Sequence, residues 1–204
     1  MTKTTEHASV RPRLQAVGHN RSFQFLATVG IFLLVLIWEQ GGLRAKTVLA
    51  YDLPSAARES LIPKASRKRA PNFNLTDIEG NSLSLAQFRG KVVLLDFWGT
   101  TCGGCKIELP WYVAFDRNFG SRGLSLIGLD MYGEKPSVVR TFVNAWHMKY
   151  PVAIGTDRIG DEFHVQELPM TLLIDRHGRI ALSHVGIVDQ HQFQTDIKAL
   201  LRER

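Results

Sequence analysis

Apolar residues recur with strand and helix spacing over the second half of this 204-residue chain. Val92 to Phe97 is a short apolar run rich in β-branched residues, and Gly99 interrupts it just before Cys102. A run of this length and composition is typical of a buried strand. The pattern therefore predicts a central strand that leads through a turn into a helix.

The remaining elements follow from the same periodicities. Strands are predicted at Leu124 to Asp130, Val152 to Ile154, Met170 to Asp175 and Ile180 to Val185. Helices are predicted from Cys102 to Phe119, from Pro136 to about His147, at Ile159 to Val165 and from Gln190 to Leu201. Phe73 to Thr76 and Ser82 to Leu85 flank a turn-rich connection, which indicates an N-terminal β-hairpin. The order indicates an α/β fold.

The first 70 residues have a different texture. Residues 22–38 are uncharged over seventeen positions, the lower limit for a membrane-spanning helix. We predict a basic cytoplasmic tail at 1–21, a transmembrane signal anchor at 22–38, a flexible basic linker at 39–70 and the folded domain at 71–204. A cleavable signal peptide would present a similar pattern, and a buried core helix is the other alternative. More basic residues precede the apolar segment than follow it, which places the domain outside the cytoplasmic membrane.

Charge separates the same two regions. Residues 1–70 hold eleven Lys and Arg against four Asp and Glu, a net charge of +7, whereas the rest of the chain has a net charge of −1. Nucleic-acid binding depends largely on neutralising phosphates with basic side chains. The charge-balanced domain therefore gives no reason to expect a nucleic-acid partner.

The cysteines are the main candidates for chemistry. Cys102 and Cys105 are the only two in the chain, and their spacing at the start of a helix allows a reversible disulfide. A helix N-terminus favours the thiolate, so Cys102 is the candidate nucleophile and Cys105 the residue that resolves a mixed disulfide. Zinc binding is the alternative, but His147 and His164 do not stand in metal-ligand spacing with each other or with a cysteine. We expect no metal and no cofactor besides the disulfide.

Two carboxylates are candidates for proton transfer. Asp96 lies near the end of the apolar strand, where burial would raise its pKa and let it take a proton from Cys105. Glu108 lies one helical turn beyond Cys105 on the same face. The alternative for each is a solvated carboxylate at a strand end or in a first helical turn.

From Ala70 to about Val188 the chain resembles the membrane-anchored, extracytoplasmic thioredoxin-like (redoxin, TlpA-like) proteins, which include thiol-disulfide oxidoreductases of cytochrome c maturation. The similarity lies in Phe88 to Leu94, in Phe97-Trp98-Gly99-Thr100 with the cysteines, Glu108 and Pro110 that follow, and in Pro169 to Asp175. The family usually has Trp where Thr101 stands and often has Pro where Gly104 stands.

This resemblance implies a thioredoxin fold, a central mixed sheet flanked by helices. It implies that Pro169 is a cis-proline facing the cysteines and that the Leu168 backbone pairs with a substrate strand, and we place Trp98 with them as a substrate-binding candidate. The expected partners are proteins with disulfides or thiols, apocytochrome c among them, together with a membrane electron donor. The expected location is the bacterial inner membrane, with the domain facing the periplasm or extracytoplasmic space.

The predicted activity is thiol-disulfide oxidoreduction in the reducing direction. A thiol peroxidase is one alternative, although Leu95 and Gly99 stand where peroxidases of this superfamily have proline and a hydroxyl residue. A binding module or chaperone for a thiol-containing partner, without turnover, is the other.

Overall fold

The computed structural model describes residues 60–203. The predicted tail at 1–21 and membrane anchor at 22–38 lie outside these residues. Among the described helices, none is long and apolar enough to cross a membrane.

Seven strands and four α-helices form the described part of the chain, together with three short 3-10 turns. The strands are β1 (Asn74–Thr76), β2 (Ser82–Ser84), β3 (Val92–Trp98), β4 (Leu124–Asp130), β5 (Val152–Ile154), β6 (Met170–Ile174) and β7 (Ile180–Val185). The helices are α1 (Gly103–Phe119), α2 (Pro136–Ala145), α3 (Asp157–Phe163) and α4 (Gln190–Arg202).

A mixed five-stranded sheet forms the centre, in the order β5-β4-β3-β6-β7. Strands β3, β4, β5 and β7 run in one direction, and β6, which lies between β3 and β7, runs antiparallel to them. β1 and β2 pair antiparallel in a separate two-stranded sheet. The predicted thioredoxin-like α/β fold with a mixed sheet is confirmed.

Strand β3 is the middle strand, and all seven of its residues are buried. Val92, Leu94 and Trp98 face the core that α1 and α4 cover, whereas Val93, Leu95 and Phe97 face the opposite core. Because alternate strand residues point to opposite faces, Asp96 lies on the same face as Leu94 and Trp98. That face also carries both cysteines.

The linker prediction is wrong at its C-terminal end. The backbone of Ile62 donates to Ala181, Ile180 donates to Lys68, and Ala70 donates to Gly178, at 2.8 to 2.9 Å. These bonds attach the segment 62–70 to β7 and to the turn before it. Apolar periodicity could not reveal this attachment, because it depends mainly on backbone hydrogen bonds. The folded part of the chain therefore begins before Pro71.

Candidate functional site

The two cysteines lie where β3 passes into α1. Cys102 is the N-cap residue of α1, and its Sγ accepts a hydrogen bond from the Cys105 amide at 3.1 Å. The two sulfur atoms form a disulfide, with the Cα atoms 5.3 Å apart. Cys102 is 6% exposed and Cys105 is 2% exposed. Cys102 is thus the more exposed cysteine, and it stands at the positive end of the helix dipole.

The turn between strand and helix is compact because of Gly99. The Cys102 amide donates to the Gly99 carbonyl at 3.1 Å. A β-carbon on Gly99 would overlap the ring of Tyr132, which lies over this turn. A larger residue at this position would displace either the turn or Tyr132.

Pro169 lies directly beside the disulfide helix. The Leu168–Pro169 peptide bond is cis, as the family resemblance implies. A β-carbon built on Gly104 would lie 3.0 Å from Pro169 Cδ and 3.3 Å from Ile187 Cγ1. Two loops, before β6 and after β7, therefore meet the start of α1.

Trp98 is fully buried, and its ring centroid lies 5.1 Å from that of Phe142. Its indole Nε1 has no hydrogen-bond partner among residues 60–203. A ring in this position has no surface to offer a substrate, so Trp98 is not among the residues that we propose to contact one.

Asp96 and Glu108 are brought together beneath the cysteines. Glu108 is fully buried, and its Oε1 accepts a hydrogen bond from the Val188 amide at 2.7 Å. Burial raises the pKa of Glu108 to about 7, against the lowering effect of the Val188 hydrogen bond. Burial, followed by the nearby charge of Glu108, raises the pKa of Asp96 well above its usual range. Neither carboxyl is the solvated side chain that the sequence left open.

Tyr112 and Thr171 complete this buried polar cluster, and sequence reasoning missed both. The Tyr112 hydroxyl lies 2.8 Å from the Thr171 hydroxyl. Thr171 stands directly opposite Asp96 in the pairing of β6 with β3. Tyr112 could have been found from its place one turn after Glu108. Thr171 could not, because its position depends on strand register.

A second acidic group holds the turn that precedes the cysteines. The backbone and hydroxyl of Thr100 both donate to the Glu134 carboxylate, at 3.3 and 2.6 Å. The Glu134 amide donates to Asp130 at 3.2 Å. Asp130 is fully buried, and burial raises its pKa to about 6. Asp130 could have been found from the sequence as a site residue, because it lies at the end of β4, beside β3.

Within residues 60–203, no three His, Cys, Asp or Glu side chains are grouped so that they could hold a metal ion. The chemistry that the described residues support is thiol-disulfide exchange, with the buried carboxyl of Glu108 one helical turn after Cys105.

The AhpC/TSA family model matches residues 67–183. The chain belongs to the AhpC/TSA family.

The chain is 35% identical over 134 residues to the thiol-disulfide oxidoreductase ResA of Bacillus thuringiensis (strain Al Hakam), covering 65% of this chain and 77% of that protein. It is 32% identical over 152 residues to ResA of Bacillus subtilis (strain 168), covering 72% and 83%. The crystal structure of a thiol:disulfide interchange protein of the thioredoxin family from Chlorobium tepidum TLS matches with a TM-score of 0.62 and 25% identity, covering 68% of this chain and 99% of that one. The predicted family of thioredoxin-like redox enzymes is confirmed.

Proposed function

We propose that this protein reduces disulfide bonds of protein substrates outside the cytoplasmic membrane, to which residues 22–38 attach it. The observation that carries the proposal is the Cys102–Cys105 disulfide at the N-terminus of α1, with Cys102 the more exposed cysteine. The similarity to proteins named thiol-disulfide oxidoreductase supports it. By the family resemblance, apocytochrome c is one candidate substrate.

The reaction begins with the reduced pair. The Cys102 thiolate attacks one sulfur of the substrate disulfide, forming a mixed disulfide and releasing the other substrate sulfur as a thiolate. Cys105 then loses its proton and attacks Cys102, which re-forms the intramolecular disulfide and expels the second substrate thiolate. Each expelled thiolate takes up a proton. A membrane electron donor returns two electrons and two protons to the Cys102–Cys105 pair, so no cofactor besides this disulfide is needed.

We assign different roles in proton transfer to the two buried carboxyls. With its pKa near 7, Glu108 changes charge close to neutral pH and suits exchange of a proton with Cys105, one turn before it. Burial raises the pKa of Asp96 well above its usual range, so Asp96 binds a proton more readily than an exposed aspartate does. We assign proton exchange with Cys105 to Glu108, and we propose that Asp96 supports it as the second buried proton-binding group.

Substrate binding is assigned to the loop before β6. The cis Leu168–Pro169 bond lies beside α1, and the partly exposed Leu168 offers its backbone to an extended substrate segment. A strand laid on this backbone would bring a substrate sulfur next to Cys102.

Insulin reduction by the full chain in detergent tests the activity. We expect the wild type to precipitate insulin in the presence of dithiothreitol and Cys102→Ser to lose this activity. We expect Cys105→Ser to accumulate disulfide-linked substrates through Cys102, because the resolving thiol is absent. An inactive wild type, or an unimpaired Cys102→Ser variant, would contradict the proposal.

Three further measurements separate the alternatives. Rapid peroxide consumption by the reduced protein would support a thiol peroxidase instead. A reduction potential near the thioredoxin value of about −270 mV would support a reductant, whereas one near −120 mV would indicate an oxidant. Binding of a thiol-containing partner without mixed disulfides in Cys105→Ser would indicate a binding module.

A further inference from the structure

A row of polar residues crosses the sheet beneath the disulfide and reaches the solvent. Asp96 of β3 pairs with Thr171 of β6, and Thr171 pairs with His184 of β7. Directly paired strand residues point to the same face, so all three lie on the side that α1 and α4 cover. β7 is an edge strand, and His184 is partly exposed. His184 is therefore the outer end of this row.

One peptide group joins His184 to Glu108. The Ile187 carbonyl oxygen lies 3.2 Å from His184 Nε2, and the next amide, that of Val188, donates to Glu108 Oε1 at 2.7 Å. A carbonyl oxygen can only accept, so Nε2 carries the hydrogen in this bond. A donor on the carbonyl polarises the peptide group and strengthens the hydrogen bond that its N–H makes. The arrangement links a partly exposed imidazole to a fully buried carboxyl.

The same peptide group lies close to the cysteines. The Ile187 side chain contacts the position of Gly104, between Cys102 and Cys105. Glu108 stands one turn beyond Cys105. A change at His184 can thus reach the resolving thiol through a single loop.

The charge of His184 supports this connection to Glu108. The positive form of His184 lowers the pKa of Glu108 and so opposes the effect of burial. The other titratable groups around Glu108 are the buried side chains of Asp96 from β3 and Tyr112 from α1. α4 also packs against α1; its one buried carboxyl, Asp196, is bonded to Gln192 at 3.2 and 3.3 Å. Of the groups that act on Glu108, His184 is the one that can be positively charged.

We propose that His184 is a positioning residue that favours the ionised form of Glu108 through the Ile187–Val188 peptide group. The inference rests on the proposed function, in which Glu108 exchanges a proton with Cys105. In this reaction, His184 keeps Glu108 able to accept the proton from Cys105 near neutral pH.

The test is a titration of Glu108 in the oxidised full chain in detergent. Carbon-13 labelling of glutamate side chains reports the ionisation, and the Glu108→Gln variant assigns the signal. His184→Val removes both the hydrogen bond and the charge, and we expect it to shift the Glu108 midpoint upward by about half a pH unit or more. His191→Gln, which changes an exposed histidine in the first turn of α4, is the matched control and should leave the midpoint in place.

His184→Gln separates the two contributions, because an amide can donate to the Ile187 carbonyl but carries no charge. A Glu108 midpoint nearer the wild type in His184→Gln supports the effect through the peptide group, whereas a midpoint like that of His184→Val would assign the effect to charge alone and overturn the proposed route. Wild-type titration in both His184 variants would overturn it. This titration uses the oxidised protein without substrate, so its result is independent of whether insulin is reduced.

Activity gives a second readout. The acidic limb of the pH profile for insulin reduction should move upward in His184→Val by the same amount as the Glu108 midpoint. A uniform loss of rate without a shifted profile would contradict the positioning role.

Discussion

Gly103 and Gly104 are adjacent in the sequence, yet their surroundings differ. A β-carbon on Gly103 would meet nothing within 4 Å, whereas one on Gly104 would press on Pro169 and Ile187 at 3.0 and 3.3 Å. Both residues lie in the first turn of α1. Gly104 therefore allows the two loops to approach the helix closely, and Gly103 does not serve this purpose.

This contrast predicts opposite effects of the two alanine substitutions. Gly104→Ala should lower the free energy of unfolding by about 1–3 kcal/mol, because the added methyl overpacks the contact with Pro169. It should also slow insulin reduction by moving that proline. Gly103→Ala is the control: it should leave activity unchanged and stabilise the protein by up to about 1 kcal/mol. Denaturant unfolding and insulin reduction measure both effects, and equal behaviour of the two variants would contradict the role of Gly104.

Some residues of the site could be predicted from the sequence, and others could not. The spacing of the cysteines predicted their pairing, and the helical repeat placed Glu108 near Cys105. Asp96 was found because a carboxylate in an apolar strand is unusual. Thr171 and His184 could not be found, since only the register of β6 against β3 and β7 brings them into line with Asp96. Burial of Trp98 was also hidden, because an aromatic residue at a strand end can face either the core or the solvent.

At the scale of elements, the N-terminus of α1 couples secondary structure to redox chemistry. Cys102 has the extended backbone of an N-cap residue, with φ −69° and ψ 114°, and its sulfur accepts the Cys105 amide hydrogen. Serine is among the best N-cap residues and alanine among the poor ones. Serine and alanine substitutions of Cys102 can thus measure its N-cap contribution separately from that of the disulfide.

Without the disulfide, Cys102→Ser should be more stable than Cys102→Ala by about 1 kcal/mol, the usual contribution of an N-cap side chain. Cys105 provides the control, because it lies inside the helix and is buried. There serine should be the less stable substitution, since its hydroxyl is buried in an apolar environment. Chemical unfolding of the four variants measures these differences, and the same order at both positions would contradict a capping role for Cys102.

Periodicity predicted the larger elements well. The five strands of the central sheet were found within a residue or so of their ends, because each is a short, mainly apolar run bounded by turn residues. The helix predicted to reach about His147 ends at Ala145, and His147 itself adopts a left-handed backbone with φ 57°. The order of the helices and strands along the chain could be predicted from the sequence. Which strands are neighbours in the sheet could be predicted only through the family resemblance.

At the scale of the whole described region, Arg67 ties three distant parts of the chain together. Its guanidinium contacts Asp175 after β6 at 3.2 Å and Glu203 after α4 at 2.6 and 2.8 Å. The side chains of Arg67 and Asp175 are 2% and 4% exposed. Arg67 thus serves as a buried anchor in a segment that the sequence predicts to be a linker. Its burial could not be predicted, because it belongs to a basic cluster whose next two residues, Lys68 and Arg69, are exposed.

We expect Arg67→Met to destabilise the protein by about 3 kcal/mol, at the lower end of the range for breaking a buried ion pair. The lower end applies because Arg179 still bonds Asp175 at 2.9 Å. The control is Arg158→Met, which breaks an exposed i,i+4 pair with Glu162 and should cost no more than about 0.5 kcal/mol. Unfolding free energies at pH 7 measure both losses, and a similar, small cost in both variants would mean that the segment 62–70 is not anchored by Arg67.

The pH dependence of this loss provides a further check. Burial tends to raise the pKa of Asp175, but its hydrogen bonds from Arg179, Arg67 and the His177 backbone outweigh burial and leave the pKa lowered. The hydrogen bond from Arg67 likewise lowers the pKa of Glu203. A carboxyl with a lowered folded-state pKa contributes stability that is present above its unfolded value and is lost as the pH falls through the folded value. The difference between wild type and Arg67→Met should therefore be constant near neutral pH and shrink once the pH falls below the ordinary values of 4.5 and 3.8. A difference that stays constant into strong acid would instead assign the loss to packing of the Arg67 side chain, because the ion pairs would no longer exist there.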